Sequence, residues 1–126
     1  MTNKITMTQA PNRKYDLQER TAKFGDDIIN FVKKISENSV TRVLISQLAR
    51  AGTSVGANYC EADDASTRKE FFYKIGTCRK ESKEAKHWLR MIMTAVPSLK
   101  DEAMVLSKEA QELNLIFSAI INNRKA

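Results

Sequence analysis

Histidine, proline, glycine and cysteine are scarce in this chain: one His, two Pro, four Gly and two Cys among 126 residues. A single histidine, His87, excludes a multi-histidine metal centre and weakens any catalytic scheme that uses imidazole as general base. Cys60 and Cys78 are too few for a disulfide framework and have no further Cys or His at ligand spacing, so both read as buried free thiols. With so few turn residues, and no segment of sustained two-residue alternation, β-structure is not expected. No apolar run approaches the roughly 18 residues that a membrane span needs. The N-terminal MTNKITMTQAPNRK also lacks a signal-peptide apolar core, so a cytoplasmic protein without membrane contact is expected.

What is abundant is Ala, Leu, Lys, Glu, Ile and Ser, the usage of a helical protein, in a chain of single-domain size. Apolar positions recur at alternating spacings of three and four in four segments. The first runs from about Asp16 to Ile35, with Leu17, Thr21, Phe24, Ile28, Phe31 and Ile35 on one stripe. Ser36-Glu37-Asn38-Ser39 supplies turn and cap residues before a second, from about Val40 to Glu61, with Leu44, Leu48, Ala51, Val55 and Asn58. The third, about Thr67 to Thr94, opens on the capping-box pattern Thr67-Arg68-Lys69-Glu70 and carries Phe71, Ile75, Cys78, Ser82, Ala85, Leu89 and Ile92. Pro97 closes it, because proline cannot continue the hydrogen-bond ladder and restricts Val96 before it. Ser98 and Asp101 mark a fourth start, followed by Ala103, Leu106, Ala110, Leu113, Phe117 and Ile120. Short links force antiparallel neighbours. The expected fold is therefore all-α, an antiparallel up-down-up-down four-helix bundle over residues 15–122, between a flexible basic tail at 1–14 and a short tail at 123–126.

The second segment contains SQLARAGTSVGANYC, Ser46 to Cys60, whose middle is nearly all small residues. A phosphate-binding loop would need a preceding strand and, in the Walker form, a Gly-Lys-Ser/Thr ending, and neither is present. Gly52 and Gly56 instead sit one turn apart inside an unbroken helical period. Each costs the helix about 1 kcal/mol relative to alanine, so an offsetting gain is expected: close approach of another helix first, a local kink or a ligand contact otherwise. Arg50, Asn58 and Glu61 are polar residues at or beside this packing surface, and each needs partners if buried. Asn58 is a candidate register pin, and Glu61 a candidate partner for Arg50 or for a basic residue of the third helix. Glu61, Asp63 and Asp64 read as solvated turn and cap residues, with metal binding as the sharper alternative. No Ser/His/Asp, Cys/His or paired-carboxylate constellation emerges, so no enzyme activity, cofactor or metal is expected.

Net charge is +6, and its distribution is uneven. Residues 66–96 hold eight Lys or Arg against three Glu, a net +5, while residues 1–14 hold +3 and the other segments nearly cancel. At about 100° per residue, Arg68, Arg79, Lys83, Lys86 and Arg90 of the third helix fall within about 60° of one another, with Lys69 and Lys80 at the margin. Glu70, Glu81 and Glu84 lie on the opposite flank. Three readings follow. The basic row contacts RNA or DNA phosphates, with strongly salt-dependent affinity; the two flanks complement each other between copies in a head-to-tail ring; or the face is solvated, with local Glu–Lys pairs.

The combination of Tyr15-Asp16-Leu17, Gln47-Leu48-Ala49-Arg50-Ala51, Ser54-Val55-Gly56-Ala57-Asn58, Glu61-Ala62, Ser66, Arg68-Lys69-Glu70-Phe71, Lys80-Glu81-Ser82-Lys83-Glu84-Ala85 and Trp88-Leu89-Arg90 resembles a known family. These are the small bacterial four-helix-bundle proteins encoded in intervening sequences of 23S ribosomal RNA genes, also called S23 ribosomal proteins. Relatives act as accessory variability proteins of diversity-generating retroelements. The resemblance covers about residues 15–122 and implies a four-helix bundle, a homopentameric assembly with a basic surface, and nucleic-acid association without catalysis. It further implies a ribosomal-RNA context in one branch and a reverse transcriptase partner in the other. Where many relatives have Ile-Ala-Glu-Gly, this chain has Tyr59-Cys60-Glu61-Ala62, which keeps the Glu and loses the glycine after it. The expectation is a non-enzymatic, oligomeric nucleic-acid-associated protein using Arg68, Lys69, Arg79, Lys80, Lys83, Lys86 and Arg90. The alternative is an oligomeric protein-interaction scaffold without direct nucleic-acid binding.

Overall fold

The computed structural model describes residues 13–124 of the chain. Four helices follow one another, α1 (Arg13–Val32), α2 (Thr41–Asp63), α3 (Arg68–Ala95) and α4 (Lys100–Asn122), with a 3-10 turn at Pro97–Leu99 before the last. Among the described residues there is no strand. Residues 1–12, most of the expected N-terminal tail, lie outside the described residues, as do 125–126 of the C-terminal one; Arg13 and Lys14 belong to α1.

Side-chain contacts fix the helix directions. Gly52 and Gly56 of α2 face Ile28 and Thr21 of α1 in reverse order. Arg50 and Glu61 of α2 pair with Glu81 and Lys74 of α3. Lys86 and Arg79 of α3 meet Gln111 and Asn114 of α4, and Arg20 and Lys34 of α1 meet Glu109 and Glu102 of α4. Every pair runs antiparallel, and the cycle closes. It closes unevenly: α1 approaches α4 least closely of the four neighbouring pairs.

The helix ends follow from local chemistry. Thr67 Oγ1 accepts from Glu70 N at 3.0 Å, while the Glu70 carboxylate reaches back to Ser66 N at 3.2 Å, one residue before the usual capping-box target. At the start of α2 the capping residue is Asn38, whose Oδ1 accepts from Val40 N and Thr41 N at 2.9 Å each. Pro97 ends α3 at Ala95, with Val96 pushed to φ −135° and ψ 76°.

The stripe of α1 is buried throughout, from Leu17 to Ile35, although the helix itself ends at Val32. Thr21 is accommodated there because its hydroxyl donates to Leu17 O at 2.8 Å. Ile75, Cys78, Ser82, Ala85, Leu89 and Ile92 of α3 are wholly buried, as are Ala103, Ala110, Leu113 and Phe117 of α4. Each large side chain removed from water contributes about 1.5–3 kcal/mol, and Phe24, Phe31 and Phe117 are the largest of those fully buried.

α2 departs from its expected stripe. Tyr59 and Ala62 are buried, whereas Asn58 is half-buried. From Val55 the inward face steps by four to Tyr59, not by three to Asn58, and a ring wins the core over an amide. The same turn of the helix leaves Cys60 exposed, which corrects the expectation of two buried thiols. Cys78 is buried, its Sγ 3.6 Å from Val55 O, and burial pushes its pKa up to about 12.

A Cβ at Gly52 would lie 2.8 Å from Ile28 Cγ1 and 2.9 Å from Cγ2, and one at Gly56 would lie 3.3 Å from the Thr21 carbonyl oxygen. Glycine is used here because the two helices approach closely. Gly25 of α1, opposite Thr53, has room for a methyl at ordinary van der Waals distance.

Gly52→Ala is accordingly expected to lower stability by about 1–3 kcal/mol through overpacking against Ile28, with Gly25→Ala costing less; chemical denaturation of the two variants checks the ranking. A thiol reagent at neutral pH is expected to titrate one cysteine per native chain, Cys60, and the second only after unfolding; Cys60→Ser should abolish the native reaction.

Candidate nucleic-acid interface

α3 lies between α2 and α4, and its two flanks meet different chemistry. On the α2 side, Arg50 reaches across to both acidic residues: its Nη1 is 3.2 Å from Glu81 Oε1, and its Nη2 binds Glu84. The hydrogen bond with Glu84 is the first cause of a raised Arg50 pKa. One turn pair further along, Lys74 Nζ lies 2.5 Å from Glu61 Oε1, which raises the Lys74 pKa. Glu70 is engaged by Ser66 and by the helix cap.

On the α4 side the neighbours are amides. Lys86 Nζ donates to Gln111 Oε1 at 2.8 Å, and Asn114 Nδ2 donates to the Arg79 carbonyl at 2.9 Å. Arg68 lies over the Phe72 ring with its guanidinium carbon 5.2 Å from the centroid, and donates to the carbonyl oxygen of Arg124. Arg68, Lys69, Arg79, Lys80, Lys83, Lys86 and Arg90 are all exposed. Among the described residues none of the seven forms an ion pair with a carboxylate. The row from Arg68 to Arg90 extends about 33 Å at 1.5 Å per residue. The result is one helix whose acidic flank is paired at Glu81 and Glu84 and capped at Glu70, and whose basic flank has no carboxylate partner among the described residues.

The remaining singled-out residues divide between packing and pairing. Gly52 and Gly56 form the α1–α2 seam. Asn58 does not reach another helix: its Nδ2 donates to Ser54 O of its own helix at 2.9 Å, so register is not set by that side chain. Glu61 is exposed and takes Lys74 of α3, not Arg50, as its partner. A basic residue of the third helix is one of the two partners expected for Glu61; that residue is Lys74, outside the basic row, and its position thirteen residues after Glu61 suits a hairpin of two helices joined by a short turn. His87 is exposed, its ring 4.9 Å from that of Trp88 in an edge-on arrangement.

At the bundle end that holds the start of α1 and the end of α4, a cavity of about 650 Å³ opens between Leu17, Tyr59, Phe71, Ile116 and Ile120, with Asp63 and Asn123 also on its wall. Its lining is largely apolar, and none of the seven residues of the basic row is among the residues that line it. Among the described residues no group of three or more His, Cys, Asp or Glu comes together to hold a metal ion. No helix among them is long and apolar enough to cross a membrane.

A family profile described as 23S rRNA-intervening sequence protein matches residues 13–119. None of the curated proteins matches the sequence. Among solved structures, a protein of unknown function from the S23 ribosomal protein family of Bacteroides thetaiotaomicron superimposes with a TM-score of 0.80 at 25% identity, covering 88% of this chain and 99% of that one. The four antiparallel helices, the extent of the profile match and this neighbour lead to one conclusion: the chain belongs to the 23S rRNA-intervening sequence protein family.

Proposed function

We propose that this protein is a non-enzymatic, self-associating nucleic-acid-binding protein whose α3 basic row contacts RNA or DNA phosphates. The observation that carries the reading is the sorting of charge on α3. Glu81 and Glu84 are engaged by Arg50 within the chain, while all seven cations of the row are exposed and have no carboxylate partner among the described residues. An unpaired cationic row of this length fits the regular negative charge of a phosphate backbone, and releasing its counterions drives association. The family's connection with ribosomal RNA genes agrees in kind with such a partner.

Self-association draws support from the outer face of α4, where Met104, Val105 and Leu115 are all more than half exposed. A homopentamer is the assembly the resemblance implies, and a reverse transcriptase the protein partner in one branch. The same apolar face supports the second reading, a scaffold for protein contacts alone. The ring reading based on complementary α3 flanks has less to draw on, because Glu81 and Glu84 already have Arg50.

Reversing Arg79, Lys83 and Lys86 together to Glu is expected to abolish retention of RNA or DNA at low salt and to leave the sedimentation coefficient unchanged. Wild-type binding should weaken steeply as salt rises, by about 10³-fold or more between 50 and 200 mM if six or so phosphates are contacted. Unchanged nucleic-acid binding by the triple variant sinks the assignment; an altered oligomer size favours the scaffold.

A further inference from the structure

Gly76 stands apart from the other three glycines. A Cβ at Gly52 would strike Ile28, one at Gly56 would press on the α1 backbone, and Gly25 lies against Thr53, but a Cβ at Gly76 would meet nothing within 4 Å. Glycine in mid-helix weakens the helix relative to alanine. Gly76 sits well inside α3, and no contact within the chain offsets that loss. Packing among the described residues therefore does not account for this glycine, and a contact from outside the chain would.

The surroundings indicate what kind of partner. Lys69, Tyr73, Gly76, Lys80 and Lys83 are spaced four, three, four and three residues apart, which places them on one strip of α3 whose four side chains are exposed and whose glycine is half-buried between them. Tyr73 is 69% exposed, an uncommon position for a large ring. Its neighbour Lys74 is held by Glu61, with Nζ 5.8 Å from the Tyr73 centroid. Lys69, Lys80 and Lys83 have no carboxylate partner among the described residues.

We propose that the strip of Lys69, Tyr73, Gly76, Lys80 and Lys83 binds an unpaired nucleic-acid strand, with a base stacked on Tyr73 and the sugar–phosphate chain laid against the bare α3 backbone at Gly76. The proposal rests on the phosphate-contact reading above and narrows it to single strands. Cations beside an exposed aromatic ring are the combination that holds single strands, because the ammonium groups track phosphates while the ring offers its face to any base. A duplex keeps its bases stacked on one another and has none to offer Tyr73. The missing side chain at 76 lets the strand lie closer to the helix, which shortens the distance from its phosphates to Lys80 and Lys83. A helix from a second copy crossing at the same point would have to approach three unneutralised ammonium groups, which disfavours it as the occupant.

The test uses the full chain and fluorescein-labelled RNA of mixed sequence, about 20 nucleotides long and so exceeding a site of about 4–16, as single strand and as duplex, titrated by anisotropy at low salt. Tyr73→Leu is expected to weaken single-strand binding about tenfold and to lower the single-strand preference by the same factor, with Tyr73→Phe restoring it. Gly76→Leu is expected to weaken single-strand binding about fivefold while its melting temperature stays at or above that of wild type, since leucine is the better helix former. Wild-type single-strand affinity in Tyr73→Leu and Gly76→Leu, alongside lost binding in the Arg79, Lys83, Lys86 reversal, overturns this proposal and leaves the phosphate reading standing. Failure of wild type to bind either probe overturns both. A changed sedimentation coefficient for Gly76→Leu with unchanged RNA binding assigns the strip to a second copy, and likewise overturns it.

Discussion

Ile28 of α1 lies against the bare backbone of Gly52 in α2, closer than any side chain at that position would allow. This contact, repeated one turn later where Gly56 meets the Thr21 carbonyl, sets how deeply α1 seats on the bundle. Once it is seated, the stripe from Leu17 to Ile35 has no choice but to face inward. The opposite edge of α1 is held differently. It reaches α4 through long side chains, Arg20 bonding Glu109 at 2.8 and 2.9 Å and Glu112 at 3.1 Å, and Lys34 bonding Glu102. The hydrogen bond with Glu109 is the first cause of the raised Arg20 pKa. Partly exposed pairs of this kind contribute about 0–1 kcal/mol each, so the position of α1 rests on the glycine seam.

The orientation of α4 then decides the fate of the charges. Its carboxylates Glu102, Glu109 and Glu112 all turn towards α1, where Lys34 and Arg20 meet them. Towards α3 it presents the amides Gln111 and Asn114. An amide can orient a lysine or cap a carbonyl, but it carries no charge to cancel one. α2 supplies the converse, a single arginine that takes up both Glu81 and Glu84. The basic row is thus left unneutralised by the way its two neighbouring helices are turned, and not by any shortage of acid in the chain, which holds fifteen Asp and Glu.

The periodicity of apolar residues made the helices and most of the core readable, because burying one face at 3.6 residues per turn is a local constraint written along the chain. It misled at one point. After Val55 a step of three and a step of four are both compatible with a helix, and the choice of Tyr59 over Asn58 depends on what α4 offers opposite: Phe117, its ring centroid 6.5 Å from that of Tyr59. The exposure of Cys60 follows from the same choice. The small residues of α2 were legible as a packing surface, since glycine in a helix needs a reason, but their partner Ile28 was not. Partners belong to the three-dimensional arrangement. That is why Arg20 with Glu109 was invisible in the sequence, while a pairing of Glu61 with a basic residue of the third helix was one of two foreseen and the angular grouping of Arg68 through Arg90 was visible.

A row of like charges along one helix has an energetic consequence beyond recognition. Each added cation repels the others, and with no carboxylate paired to them among the described residues, solvent and counterions relieve most of the repulsion. Stacking of Arg68 on Phe72 and the bond from Lys86 to Gln111 position two of the heads without removing their charge. Along the roughly 33 Å of α3 that the row spans, small anions from solution are the counterions available to the free bundle. A polyanion that replaces them relieves the repulsion and frees the small ions in one step. The feature that strains the isolated chain is, on this reading, the one that drives its association, and charge complementarity inside the bundle could be improved only by weakening what the outer surface can bind.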